Sequence, residues 1–291
     1  MLVHQKQNYY RIVTLSFIRC LRFTYIAIST KIYQFYQTNK MNRYGDIELV
    51  DKSLPPICGY WNAKLVSLEE ALKPIESIID ELNRSIKAAK KYCTYPSEHD
   101  LTRDESAAIY LYTMEGGENS FYKILNEALR SENRPALRPW FSYLKLLDVA
   151  LKKLPTVKGN VWRGVRGDIS EKFTKGQVLT WWGISSCSQE MDVVQGFLDP
   201  NGSSTLFMIE AINGKDASKY SYFSNENEVI LGLGTELKVK GNKLKHHGGL
   251  NIVHLVELND DNDGDDVNKL PQAIVKMDIQ PKISDKGETG K

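Results

Sequence analysis

The sequence predicts an α+β fold, with a helical layer in the first half and mainly antiparallel strands in the second. Apolar residues recur at helical spacing as far as Leu154; from residue 160 the period shortens, with Val, Ile, Trp and Thr prominent and Gly or Asn between segments. A helix-rich stretch followed by a strand-rich one is the pattern of α+β architecture. At 291 residues, 42% hydrophobic and 25% charged, the chain is long enough for one large domain or two small ones and shows no internal repeat.

Residues 46–66, with Pro55, Pro56 and Gly59, read as an extended lead-in. Ser67-Leu68-Glu69-Glu70 has the form of a capping box and opens a helix carrying Leu72, Ile75, Ile79, Leu82 and Ile86, with Pro74 in its first turns. Thr102-Arg103-Asp104-Glu105 is a second box; its helix runs towards Met114 and stops at Gly116 and Gly117. Two further helices are expected at Phe121 to Arg130 and Pro135 to Leu154, the latter closed by Lys152, Lys153 and Pro155. Strands are expected near 160–165, 178–187, 204–212, 228–233, 235–240 and 250–258.

The net charge of +2 hides an asymmetry. Residues 1–45 hold seven Lys or Arg and no acid, which leaves the remainder at −5. This basic extension reads as a targeting segment, a disordered extension or a stretch ahead of a true start at Met41. Arg19 and Arg22 interrupt its apolar part before the ~18 residues of a membrane span, so none is expected. After residue 45 no basic stripe with interleaved aromatics appears, and no nucleic-acid surface is expected. Cys20, Cys58, Cys93 and Cys187 are scattered without a C-x-x-C pair, which speaks against zinc and favours reduced thiols in a cytoplasmic protein; a secreted or organellar home follows if residues 1–45 are a targeting segment. Residues 259–291 read as an acidic loop and flexible tail. The run Asp260-Asp261-Asn262-Asp263-Gly264-Asp265-Asp266 fails as a calcium loop, because Leu270 falls where a bidentate Glu belongs.

Chemistry concentrates in three segments. Glu226-Asn227-Glu228 heads the apolar run Val229-Ile230-Leu231, and in a strand its two carboxylates share one face, roughly 6–7 Å apart at Cα. Such a pair needs a cation or a task; otherwise it is a solvated strand edge. Val161-Trp162-Arg163-Gly164-Val165 puts a guanidinium suited to phosphate or carboxylate among strand formers, beside a glycine that lets a ligand approach the backbone. Between them, Ser185-Ser186-Cys187-Ser188 follows Trp181-Trp182.

In this order, Arg, Ser-x-Ser and Glu-x-Glu resemble the signature of the arginine-specific mono-ADP-ribosyltransferases. The likeness extends back through Asp104 to Thr113, Leu125 to Arg130, and Tyr143 to Leu147, and so covers roughly 100–258. It implies an ADP-ribosyltransferase-like fold, two small sheets around an NAD cleft with helices in front, in a domain at 46–258. It also implies NAD, or NADP, as co-substrate, no metal, and an arginine-bearing protein or small guanidino acceptor.

Residue by residue, the resemblance gives Glu228 the stabilisation of positive charge on the ribose and a bond to its hydroxyl, as a carboxylate does in glycoside hydrolysis. Glu226 holds the incoming guanidinium. Arg163 holds the NAD phosphates, with a salt bridge to one of the Glu residues as its structural alternative, while the Gly164 backbone grips the nicotinamide amide. Ser186 positions Glu228 and the ribose, with Ser185 as an off-by-one alternative and Cys187 in place of the family's Thr. Tyr220, Tyr222 and Phe223 occupy the acceptor-recognition loop, where an aromatic can stack on a guanidinium or pack the loop itself. Phe197 can cover nicotinamide or join the core, and one of Trp181 and Trp182 lines the cleft. His246, His247 and His254, with His4 and His99, have no spacing for zinc or a triad. Gly232-Leu233-Gly234 opens no helix, which excludes a Rossmann site. An NAD glycohydrolase and a non-catalytic NAD-binding protein are the rival readings.

Overall fold

The structure is a computed structural model that describes residues 54–116, 120–196, 198–199, 202–242, 244–245 and 249–258. The basic extension 1–45, the acidic loop and tail 259–291, Gly117, Phe197, His246 and His247 lie outside the described residues.

The helical layer comprises α1 (Leu68–Leu72), α2 (Leu82–Tyr92), α3 (Arg103–Thr113), α4 (Phe121–Leu129) and α5 (Phe141–Lys153). Ser67 caps α1 by accepting from the Glu70 N–H, but the single helix expected beyond it is broken. Pro74 lacks the N–H that would bond four residues back, the chain tightens to a 3-10 turn at Lys73–Ile75, and α2 restarts after Glu81 in a left-handed conformation (φ 53°). The apolar stripe survives the break: Leu72, Ile75, Ile79, Leu82 and Ile86 are buried in one cluster. In α3 the Thr102–Glu105 capping box closes in both directions, at 3.2 and 2.7 Å. The helix expected from Pro135 begins instead as a 3-10 segment, Arg134–Trp140; with Pro139 inside it, α-helix starts only at Phe141.

The strands are β1 (Thr156–Arg166), β2 (Val178–Trp181), β3 (Ser185–Ser188), β4 (Ser204–Asp216), β5 (Glu228–Leu231), β6 (Thr235–Val239), β7 (Leu244–Lys245) and β8 (Leu250–Glu257). A short helix, α6 (Met191–Gln195), follows β3. The order is β1-β3-β5-β4-β8-β6-β2 with β7 on β8, and β1 also pairs along most of β4. All pairings are antiparallel except β4–β8. Since β1, β3, β5 and β4 pair in a closed circuit, the two expected sheets are hydrogen-bonded into one. Val161, Cys187, Phe207, Ile209, Val229, Leu231 and Val253 share a core between its halves, while Ile184 and Ile230 join the helical core.

The expected strand 178–187 is two strands, and the helical layer makes the break. Asn126 on α4 accepts from the Ile184 N–H (2.9 Å) and donates to its carbonyl (3.0 Å), which Tyr112 also caps (2.8 Å). A Cβ at Gly183 would lie 3.1 Å from Asn126 Oδ1, so any larger residue in this link requires the Asn126 amide to give by a few tenths of an ångström. Asn126→Ala strands the buried Ile184 N–H and is expected to destabilise the protein by about 1–3 kcal/mol, read as a lower urea midpoint at unchanged slope.

On the β4–β8 ladder, His254 Nε2 meets Glu210 at 2.7 Å and Lys240 meets the same carboxylate at 2.9 Å. Burial holds the His254 pKa below its ordinary value, against the pull of Glu210. The folded protein therefore prefers neutral His254, and the associated stability is present above about pH 6.5 and lost as pH falls through the lower folded value. His254→Gln is expected to flatten the fall in Tm between about pH 7 and pH 5, measured against wild type in matched buffers.

Candidate active site

Three neighbouring strands deliver the signature residues. β1 and β3 meet at one pair, Trp162 opposite Ser188, and β3 runs along β5 with Ser186 opposite Ile230 and Ser188 opposite Glu228. Residues directly opposite share a face, as do residues two apart, so Ser186, Ser188 and Glu228 lie on one face. Ser185, opposite Leu231, falls on the other. Pairing thus puts Ser185 and Ser186 on opposite faces, with Ser188 directly opposite Glu228 and Ser186 diagonal to it on the same face.

Arg163 is 1% exposed, and its Nη1 donates to the Ser186 carbonyl at 2.6 Å. Its guanidinium carbon stands 5.9 Å from the Trp181 ring centroid. The bond spans the place where the β1–β3 ladder is a single pair and fixes one strand against the other.

At Gly164 the close approach comes from within the protein: a Cβ there would meet Val194 Cγ1 at 2.8 Å and Leu198 Cδ2 at 2.9 Å. The missing Cβ lets Val194 on α6 and Leu198 after it close onto β1.

The carboxylates reach the site by a different route from the one the sequence suggests. Glu226 precedes β5, and Asn227 has φ 45°, so the two acids are not i and i+2 of one strand. Asn tolerates the left-handed region better than most residues, and the kink it allows separates Glu226 from the strand pleat. Ser188 Oγ fixes Glu226 by donating to its carbonyl at 2.7 Å, and the Gln189 N–H binds the Asn227 carbonyl at 3.2 Å. Glu226 and Glu228 are 1% and 0% exposed.

The Ser186 hydroxyl is buried and finds no hydrogen-bond partner among the described residues. Such a group costs about 1–3 kcal/mol and calls for an explanation. Cys187, between the serines, faces the other way into the core with Val229. Burial, reinforced by Glu228 and Glu257 against the opposing pull of Arg163, pushes its thiol up to about 12 and leaves it a neutral packing group.

Of the aromatics, Tyr220 is buried with its hydroxyl engaged, so it is not placed to stack on an acceptor. Tyr222 and Phe223 are half-buried and pack edge to face at 4.7 Å. Neither tryptophan lines an open cleft: Trp181 is core, and Trp182 lies under Arg134, 4.7 Å from the ring centroid. Among the described residues there is no group of three His, Cys, Asp or Glu that could hold a metal, and no helix long and apolar enough to cross a membrane. The sequence reading missed Asn126, although a polar residue inside the apolar stripe of Tyr122, Leu125 and Leu129 marks a buried hydrogen-bonding task. It also missed α6 and β7, each too short to show a period.

Residues 66–263 match the family described as NAD:arginine ADP-ribosyltransferase, beginning well upstream of the stretch that carries the resemblance in sequence. Mav of Mycobacterium avium (strain 104), provisionally named an NAD(+)--arginine ADP-ribosyltransferase, is 29% identical over 161 residues; the match covers 55% of this chain and 18% of that protein. Among solved structures, the Vibrio splendidus ADP-ribosyltransferase Vis in complex with agmatine is 19% identical over 69% of this chain and 90% of its own, with a TM-score of 0.45. HopU1 of Pseudomonas syringae pv. Tomato DC3000 is 20% identical over 76% and 96%, with a TM-score of 0.46. The family match spans more than half of the sequence and contains all three signature segments: the chain belongs to the NAD:arginine ADP-ribosyltransferase family.

Proposed function

We propose that the protein transfers ADP-ribose from NAD to the guanidino group of an arginine-bearing protein or small acceptor, with the transferase domain at 46–258. The observation that carries this reading is the pairing of Ser188 with Glu228, which sets the partnerless Ser186 hydroxyl on the face of a buried carboxylate. NADP, which differs by one phosphate, is a second co-substrate to assay.

The bond from the ribose anomeric carbon to the nicotinamide nitrogen breaks, and positive charge develops on the sugar. The Glu228 carboxylate stabilises that charge and accepts from a ribose hydroxyl, while Ser186 Oγ holds both in place. Arg163 serves the phosphates while keeping β1 on β3. Glu226 holds the acceptor guanidinium, one of whose nitrogens bonds to the anomeric carbon and then releases a proton. Because all four side chains are buried, the shell around them must open to admit substrate.

Agmatine with labelled NAD tests the reading. Glu228→Gln is expected to lower both transfer and nicotinamide release, on the order of 10²-fold or more; a wild-type rate in that variant removes the mechanism. Glu226→Gln is expected to lose transfer by a similar factor and to keep part of the nicotinamide release, since water needs no guanidinium site. Release with no transfer in the wild type identifies a glycohydrolase, and NAD binding with no turnover a non-catalytic protein.

A further inference from the structure

The segment between β4 and β5, residues 217–227, carries Glu226 near its end, and the helical layer holds it at points the chemistry does not use. Tyr220, 1% exposed, shares its hydroxyl between Ser97 Oγ (2.7 Å) and His99 Nδ1 (2.8 Å), both on the connector between α2 and α3. On the same connector Thr94 Oγ1 donates to the Lys219 carbonyl at 2.6 Å. One turn on, the Tyr222 N–H donates to Thr113 Oγ1 at the end of α3, at 2.8 Å. Lys219 and Glu98 pair across the surface at 2.5 Å, but both are largely exposed and the pair contributes little.

From Tyr222 the chain is tied onward to the acid. Ser221 Oγ donates to the Phe223 carbonyl at 3.1 Å, and the Glu226 N–H donates to that carbonyl at 3.2 Å. Ser188 holds the Glu226 carbonyl from the β3 side. Glu226 therefore sits on a short span with one end fixed to the sheet and the other to the helices. Glu228, on the strand itself, is held by its pairing with β3 on one side and, on the other, by the β4–β5 ladder, which the Ala217 N–H continues by donating to the Glu228 carbonyl at 2.9 Å.

We infer that Tyr220 is a positioning residue for the acceptor: its hydroxyl, clamped by Ser97 and His99, fixes the loop that presents Glu226 and so favours guanidinium over water as the nucleophile. This rests on the transferase reading above. The clamp acts on the span that carries Glu226, whereas Glu228 is held by ladders to both β3 and β4 that do not need the Tyr220 hydroxyl, so cleavage of the nicotinamide bond is expected to survive its loss. It differs from a general contribution to folding in selecting one of two reactions of the same site.

The test uses the full chain, agmatine and labelled NAD, with transfer and acceptor-free nicotinamide release measured on each variant. Tyr220→Phe keeps the buried ring and removes the hydroxyl. It is expected to lower kcat/KM for agmatine about 5-fold to 10-fold, with nicotinamide release within about 2-fold of wild type. The Ser97→Ala, His99→Ala double variant is expected to show the same selective loss, and adding Tyr220→Phe to it no further loss, as for groups acting through one contact. Equal losses in both reactions, unchanged transfer, or additive losses overturn the inference. A wild type that neither transfers to agmatine nor releases nicotinamide overturns the transferase reading itself, and the clamp's role with it.

Discussion

A guanidinium buried in a sheet is tolerable only where a partner replaces the water it has lost, and for Arg163 that partner includes the carbonyl of Ser186. The 2.6 Å bond is charge-assisted, a class that contributes about 1.5–3 kcal/mol, and it acts where backbone pairing between β1 and β3 is reduced to Trp162 and Ser188. With β3 fixed to β1, the Ser188–Glu228 pairing sets β5, and Ser188 in turn sets the Glu226 carbonyl. The placement of hydroxyl and both acids thus rests on this cation together with the β1–β4 and β4–β5 ladders, which hold β5 from the other side. The same residue that the resemblance assigns to the dinucleotide phosphates thus also ties β1 to β3.

The helical layer completes the frame from the other side. Asn126 and Tyr112 hold Ile184 at the entrance to β3, while Thr113, Ser97 and His99 hold the loop that leads to β5. Both strands of the site are pinned at their ends by side-chain hydrogen bonds to backbone or to tyrosine, and in the middle by ladder pairing. Small backbone-directed polar groups suit this task, because each fixes a chain position without adding charge to a region already holding two carboxylates and a guanidinium.

Burial was more legible in the sequence than backbone path. The stripe from Leu72 to Ile86 is buried as its period implies, yet the helix expected to carry it breaks after Leu72, because the missing N–H of Pro74 and the left-handed Glu81 act below the resolution of a hydrophobic pattern. The order of helices before strands, which predicts α+β, depends only on period and is what the structure shows. In the site, Glu226 and Glu228 were recognisable as a pair from spacing and company. The strand geometry invoked for them fails at Asn227, whose positive φ no alternation of apolar residues reveals. Long-range contacts such as Tyr220 with His99, 121 positions apart, leave no local trace at all.

The most direct measurement is a structure of the full chain bound to a non-hydrolysable NAD analogue. The analogue's nicotinamide ribose is expected within hydrogen-bond distance of both Ser186 Oγ and the Glu228 carboxylate, with the Arg163 to Ser186 bond retained beneath it. An analogue bound elsewhere, with the Arg163, Ser186 and Glu228 cluster still closed, contradicts that expectation.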